Sequence, residues 1–227
     1  MGDDGERCRS GAQLSADPFK SPTAAVQNFV DELNQTLRKT VTQMTLHAKI
    51  TGAQAHLSFN NDEAIRLDDD HWLYISYDQY IGGRDPEGQY RSHTLKAIFS
   101  YHDSPLSDSE AVLSYHFHKL EVPTVGSALV PHVHVRDSVP LHKKHIFIGR
   151  SCVEDLLEFL VTERGVPVVP QDHPAGNPLT EDELRERTVG RLHESRRLFH
   201  EKFKSHPAIT PLDELPEEAQ AILARIR

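Results

Sequence analysis

The chain has 227 residues, 37% of them hydrophobic and 26% charged, and a formal net charge of −9. That length suits one well-packed domain with appendages and is too short for two large ones. No run approaches the ~20 apolar residues of a membrane span, and no apolar stretch follows the opening residues as in a secretory signal. The excess of acid weighs against a broad basic grip on nucleic acid. Two cysteines, Cys8 and Cys152, are too few for a disulfide scaffold, so a reduced, cytoplasmic location is expected.

Residues 1–20 are polar, rich in Gly, Asp and Ser, and without periodicity, which predicts a disordered tail. Ser21-Pro22 then opens a helix, proline being favoured at the first helical position. Val26, Phe29, Val30, Leu33 and Leu37 recur at helical spacing as its buried stripe. From about 44 to 135 the pattern changes to strands, with candidate runs at 45–59, 72–81, 90–102, 111–120 and 132–135, rich in Tyr, Phe, Ile, Val and Thr. Their separators read as turns: Asn60-Asn61-Asp62, Asp68-Asp69-Asp70, Gly82 to Gly88, and Asp103-Ser104-Pro105. Short connections between successive strands predict an antiparallel meander.

Ile146-Phe147-Ile148 suits a short core strand. Ser151-x-x-Glu154 has the form of a capping box for a helix carrying Val153, Leu156, Leu157, Leu160 and Val161, with Gly165 as its stop. Val166 to Pro170 is expected to run back along the core, and Gln171 to Leu179 to be a linker. Thr180-x-x-Glu183 is a second capping box, opening a charged helix to about Lys204 whose apolar seam is thin: Leu184, Leu192, Phe199 and Phe203. One more short helix is expected between Pro211 and Arg227. The whole reads as an α+β protein. An antiparallel meander with helices on one face fills 21–170, and 171–227 forms a linker and a helical C-terminal arm.

The concentrated chemistry is histidine. Six of the fifteen, His116, His118, His132, His134, His142 and His145, fall within thirty residues. In Tyr115-His116-Phe117-His118 and Pro131-His132-Val133-His134-Val135 they alternate with apolar residues. Strand side chains alternate between faces, so each pair shares one face while its apolar neighbours turn to the core. Several readings stay open. The histidines are polar-face residues with no joint role, or His116, His118, His132 and His134 ligate a transition metal such as zinc. In a third reading these four supply metal-free acid–base catalysis on a phosphodiester. His116-x-His118-x-x-Glu121 also has a faint cupin look, but with too short a spacing to Glu.

The segment that follows reads either as a basic turn before the Ile146-Phe147-Ile148 strand or as a site for an anion. Lys143, Lys144 and His145 lead to Arg150 and Ser151 at a helix start, where free N–H groups favour phosphate or carboxylate. Cys152 in the same turn reads as a small packed residue, with a reactive thiol as the alternative.

The stretch from 45 to 135 resembles the TumE-like family of bacterial toxin–antitoxin proteins, on the Tyr115-His116-Phe117-His118 and Pro131-His132-Val133-His134-Val135 elements. That resemblance implies an antiparallel sheet, a growth-inhibiting ribonuclease-type activity on RNA, and an antitoxin-like protein partner. The helix from Ser151 and the charged arm lie outside the similar part, and Phe117 stands where the resemblance leads one to expect tryptophan. Against both catalytic and metal chemistry stands a non-enzymatic interaction module working through the C-terminal arm.

Overall fold

The computed structural model describes residues 21–84, 88, 90–104, 111–118, 132–136, 146–147, 152–170 and 179–203. Helix α1 (Pro22–Arg38) starts where Ser21 Oγ accepts a hydrogen bond from the Ala24 N–H at 3.1 Å, with Pro22 just inside. Its stripe of Val26, Val30, Leu33 and Leu37 is buried, and so is Asn34. The Asn34 carboxamide donates to the Leu46 carbonyl at 3.0 Å and accepts from the Leu46 N–H at 2.7 Å. This side chain replaces the backbone partner that the chain lacks between helix and sheet.

The sheet is an unbroken antiparallel meander of β1 (His47–Thr51), β2 (Gln54–Ser58), β3 (Ile65–Arg66), β4 (Trp72–Arg84), β5 (Tyr90–His102), β6 (Leu113–His118), β7 (His132–Val135) and β8 (Ile146–Phe147). The order is β1-β2-β4-β5-β6-β7-β8, with β3 extending the β2 position along β4. Two details differ from the sequence pattern. The run 45–59 is a hairpin, folded at Gly52, whose φ of 59° suits the tight turn joining β1 to β2. Gly82 and Gly83 lie within β4, not in the turn after it, at an irregularity between Ile81 and Gly83. A Cβ on Gly82 would sit 2.5 Å from the Tyr80 hydroxyl, because the buried Tyr80 ring lies over that position.

Helices cover one face of the sheet. Leu57, Leu73, Ile75, Phe99, Tyr101, Leu113 and Val133 meet α1 and α2 (Val153–Thr162), whose Leu156, Leu157, Leu160 and Val161 are fully buried. Aromatic rings knit this layer: Phe29 meets Tyr77 edge-on at 5.3 Å, and Phe99 stacks on Tyr115 at 5.5 Å. Val135 keeps the same face as Val133, opposite Leu113, but is exposed at the end of β7.

The cap of α2 is built one residue later than Ser151-x-x-Glu154 suggests. The Cys152 N–H donates to Asp155 Oδ2 at 2.8 Å, while Glu154 turns to accept from Ser195 Oγ at 2.6 Å. Gly165, at φ 68°, ends the segment, and the Val166 N–H donates to the Leu160 carbonyl at 3.0 Å. Val166 is fully buried and the Val169 N–H reaches the Thr40 carbonyl at 2.8 Å, so this stretch does run back along the core.

Helix α3 (Glu181–Phe203) begins with the expected reciprocal cap between Thr180 and Glu183. It packs on α2: Thr188 and Leu192 are buried, and Arg196 bridges Asp155 at 3.1 Å and Glu158 at 2.8 Å. Leu192 of its thin seam is therefore used inside the molecule. No helix among the described residues is long and apolar enough to cross a membrane. The expected tail, linker and last helix lie outside the described residues.

Candidate functional site

The sheet face away from the helices is polar, and the strand register sorts it into rows. One row aligns Lys49, His56, Asp78, Lys96 and His118 across β1, β2, β4, β5 and β6. The next aligns Ser58, Ser76, Ile98, His116 and His132, and a third aligns Tyr74, Ser100, Ser114 and His134. The two histidine motifs are thus on neighbouring strands, in a register that makes His116 and His132 direct partners.

His116 and His134 are diagonal neighbours, and their ring centroids are 4.5 Å apart at an interplanar angle of 46°. Both are half-buried. His116 Nε2 lies 2.7 Å from Ser114 Oγ, and Ser114 Oγ lies 2.6 Å from Ser100 Oγ. Both serines are buried, at 1% and 0% exposure, so bulk water does not compete for these hydroxyls. If Nε2 of His116 carries the proton, Ser114 accepts it and donates on to Ser100. If not, both hydroxyls reverse and Nδ1 carries it. The chain of hydroxyls therefore follows the tautomer of His116.

Of the four predicted histidines, then, the structure brings His116 and His134 into ring contact. For His118 and His132 it defines the strand positions, opposite Lys96 and His116. Lys143, Lys144, His145, Arg150 and Ser151, the predicted anion site, lie outside the described residues, as does His142. Cys152 is a packed residue, 4% exposed, and burial pushes its thiol well above the usual range, aided by the carboxylates of Glu154 and Asp155. The helix start does not activate it.

Sequence reasoning passed over three features of this face. Ser114 shares the period-2 alternation with His116 and was legible, but Ser100 joins only through the register between β5 and β6. The third is His56, whose Nδ1 is 2.7 Å from Asp78 Oδ1 and whose Nε2 is 3.4 Å from Asp62 Oδ1. The hydrogen bond to Asp78 leads the causes that raise the pKa of His56 above 6.5, against the opposing effect of burial. These partners come from separate elements, and no local motif announces them. No protein-family model, curated protein or solved structure matches this chain.

Proposed function

We propose that the chain is a ribonuclease-type, toxin-like protein that cleaves RNA by metal-free acid–base chemistry at His116 and His134. The observation that carries this reading is their ring contact, made by two motifs from separate strands, with His116 held by Ser114. Two imidazoles side by side can divide the two proton transfers of RNA transesterification between them, one as base and the other as acid. The neutral ring takes the proton of a ribose 2′-hydroxyl as its oxygen attacks phosphorus. The protonated ring delivers its proton to the 5′-oxygen as the P–O5′ bond breaks, leaving a 2′,3′-cyclic phosphate and a 5′-hydroxyl.

His118 and His132 are further members of the set, and Lys143, Lys144, His145, Arg150 and Ser151 hold phosphate and offset the charge of the phosphorane. The resemblance to the TumE-like family supports RNA as substrate and a neutralising protein as partner. Incubation of purified protein with several RNAs in EDTA tests the reading, with 2′,3′-cyclic phosphate ends as the expected product. His116→Ala or His134→Ala should lower the rate by about 10²–10⁴, and a 2′-deoxy substitution at the scissile nucleotide should abolish cleavage. No cleavage of any RNA, together with no effect of expression on growth, refutes it.

The same 4.5 Å separation favours a second reading, in which His116 and His134 are two of the ligands of a divalent transition metal such as zinc. Stoichiometric metal in untagged protein, with activity lost in EDTA and restored by the ion, would replace the first reading by this one.

A further inference from the structure

The polar face holds a concave feature remote from the paired histidines. A depression of about 420 Å³, open on one side, is lined by Lys49, Thr51, Gln54, His56, Asp78 and Leu95. Its volume lies within the range of small-ligand sites. Leu95 supplies an apolar floor because the register slips there: Asp78 pairs with Lys96 and Gln79 with Thr94, which leaves Leu95 as the extra residue of a bulge. Bulges re-aim side chains in this way, and Leu95 is 1% exposed although it stands outside the helix-covered core.

The charged side chains around the depression differ in how far they are engaged. Asp78 and Asp62 are both engaged by His56. Lys49 and Lys96, which flank that pair in the same row, form no ion pair among the described residues. With Asp78 and Asp62 both held by His56, Lys49 and Lys96 are the cations left in the row to meet an anionic ligand, on a chain whose formal net charge is −9. Lys96 is also the register partner of His118, so the row leads from the depression to the histidine motifs. At a strand spacing of 4.7–4.9 Å, β2 and β6 are roughly 14 Å apart, farther than one nucleotide reaches.

We infer that this depression is a second subsite for single-stranded RNA, taking a nucleotide a few positions from the one held at His116 and His134, with Lys96 on the intervening phosphates and Lys49 on the phosphate at the far side of the depression. The inference rests on the ribonuclease reading for the identity of the ligand. It shares with single-strand binders a line of cations that can follow the phosphate backbone.

The test is the length dependence of recognition. In cleavage assays an octanucleotide should surpass a dinucleotide, and in Lys49→Ala/Lys96→Ala that advantage should collapse about tenfold, through KM. In parallel, fluorescence anisotropy with a 2′-deoxy octanucleotide should show weaker binding to the double variant, with a salt slope shallower by about 0.7 for each lysine removed. Cleavage whose length advantage the double variant retains overturns the subsite alone. Lysine-dependent octanucleotide binding without any RNA cleavage sustains the subsite and removes the catalytic reading. Octanucleotide binding equal in wild type and variant, or tight binding of polyglutamate in place of RNA, overturns the inference.

Discussion

Replacing Ser114 by alanine isolates the hydroxyl that ties the sheet to His116. The substitution removes the contacts to His116 Nε2 at 2.7 Å and to Ser100 Oγ at 2.6 Å, at a position only 1% exposed. Alanine differs by one oxygen, so almost no cavity opens and the loss is that of hydrogen bonding. At a net ~0.5–1.5 kcal/mol for each bond, Ser114→Ala should cost about 1–3 kcal/mol. Urea unfolding followed by the fluorescence of Trp72, the single tryptophan, measures this directly. The functional consequence is separable. With the hydroxyl gone, the tautomer of His116 is no longer coupled to Ser100, and its ring ¹⁵N shifts should change while those of His71 do not. The pH profile of RNA cleavage should change as well, and Ser114→Thr, which keeps the hydroxyl, should restore it. Unchanged stability together with an unchanged His116 tautomer would show that the hydroxyl chain does not exist in solution.

Leu192→Ala should destabilise the protein by about 2–5 kcal/mol, since Leu192 is 1% exposed between α3 and the core; a loss under about 1 kcal/mol by chemical denaturation would mean that α3 does not dock on α2. His56→Gln tests the pair with Asp78. Because the folded-state pKa of His56 is raised, its stabilising contribution is complete below about pH 6.5 and is lost as pH rises through the folded value. The wild type should therefore exceed the variant by more at about pH 6 than at about pH 9. The gap should be small and salt-sensitive, as the side chain is 35% exposed, and an equal gap at both pH values contradicts the assignment. In a Cys8→Ser background, Cys152 should resist iodoacetamide until the protein unfolds, and rapid alkylation under native conditions would contradict its burial. Gly82→Ala should cost roughly 1–3 kcal/mol by forcing the Tyr80 ring aside. Most of that cost should vanish in a Tyr80→Ala background, and additive effects would show that the two do not touch.

Much of the fold was legible in the residues. The stripe of α1 and the capping box at Thr180 are local signals realised where the pattern placed them, and the meander follows the period-2 runs except at Gly52 and Gly82-Gly83. The hairpin at Gly52 was harder, because a single glycine in a run of strand formers is compatible with either a bulge or a turn. Gly82-Gly83 misled in the opposite direction: the pair looks like a turn, but Tyr80 needs the space above Gly82, a contact between residues that the one-dimensional pattern treats as independent. For the site, alternation alone put His116 on the opposite face from Tyr115, and His134 on the opposite face from Val133.

What alternation leaves open is register, since sliding one strand by two residues keeps every side chain on its face and changes every neighbour. Only the tertiary structure decided that His134 lies against Ser114 and touches His116, that Ser100 completes the hydroxyl chain, and that Asp78 meets His56 across β2 and β4. Periodicity is a property of the backbone of each strand and is written locally. Pairing is a comparison of free energies among alternative alignments of the whole sheet, which depends on how the buried face packs against α1 and α2.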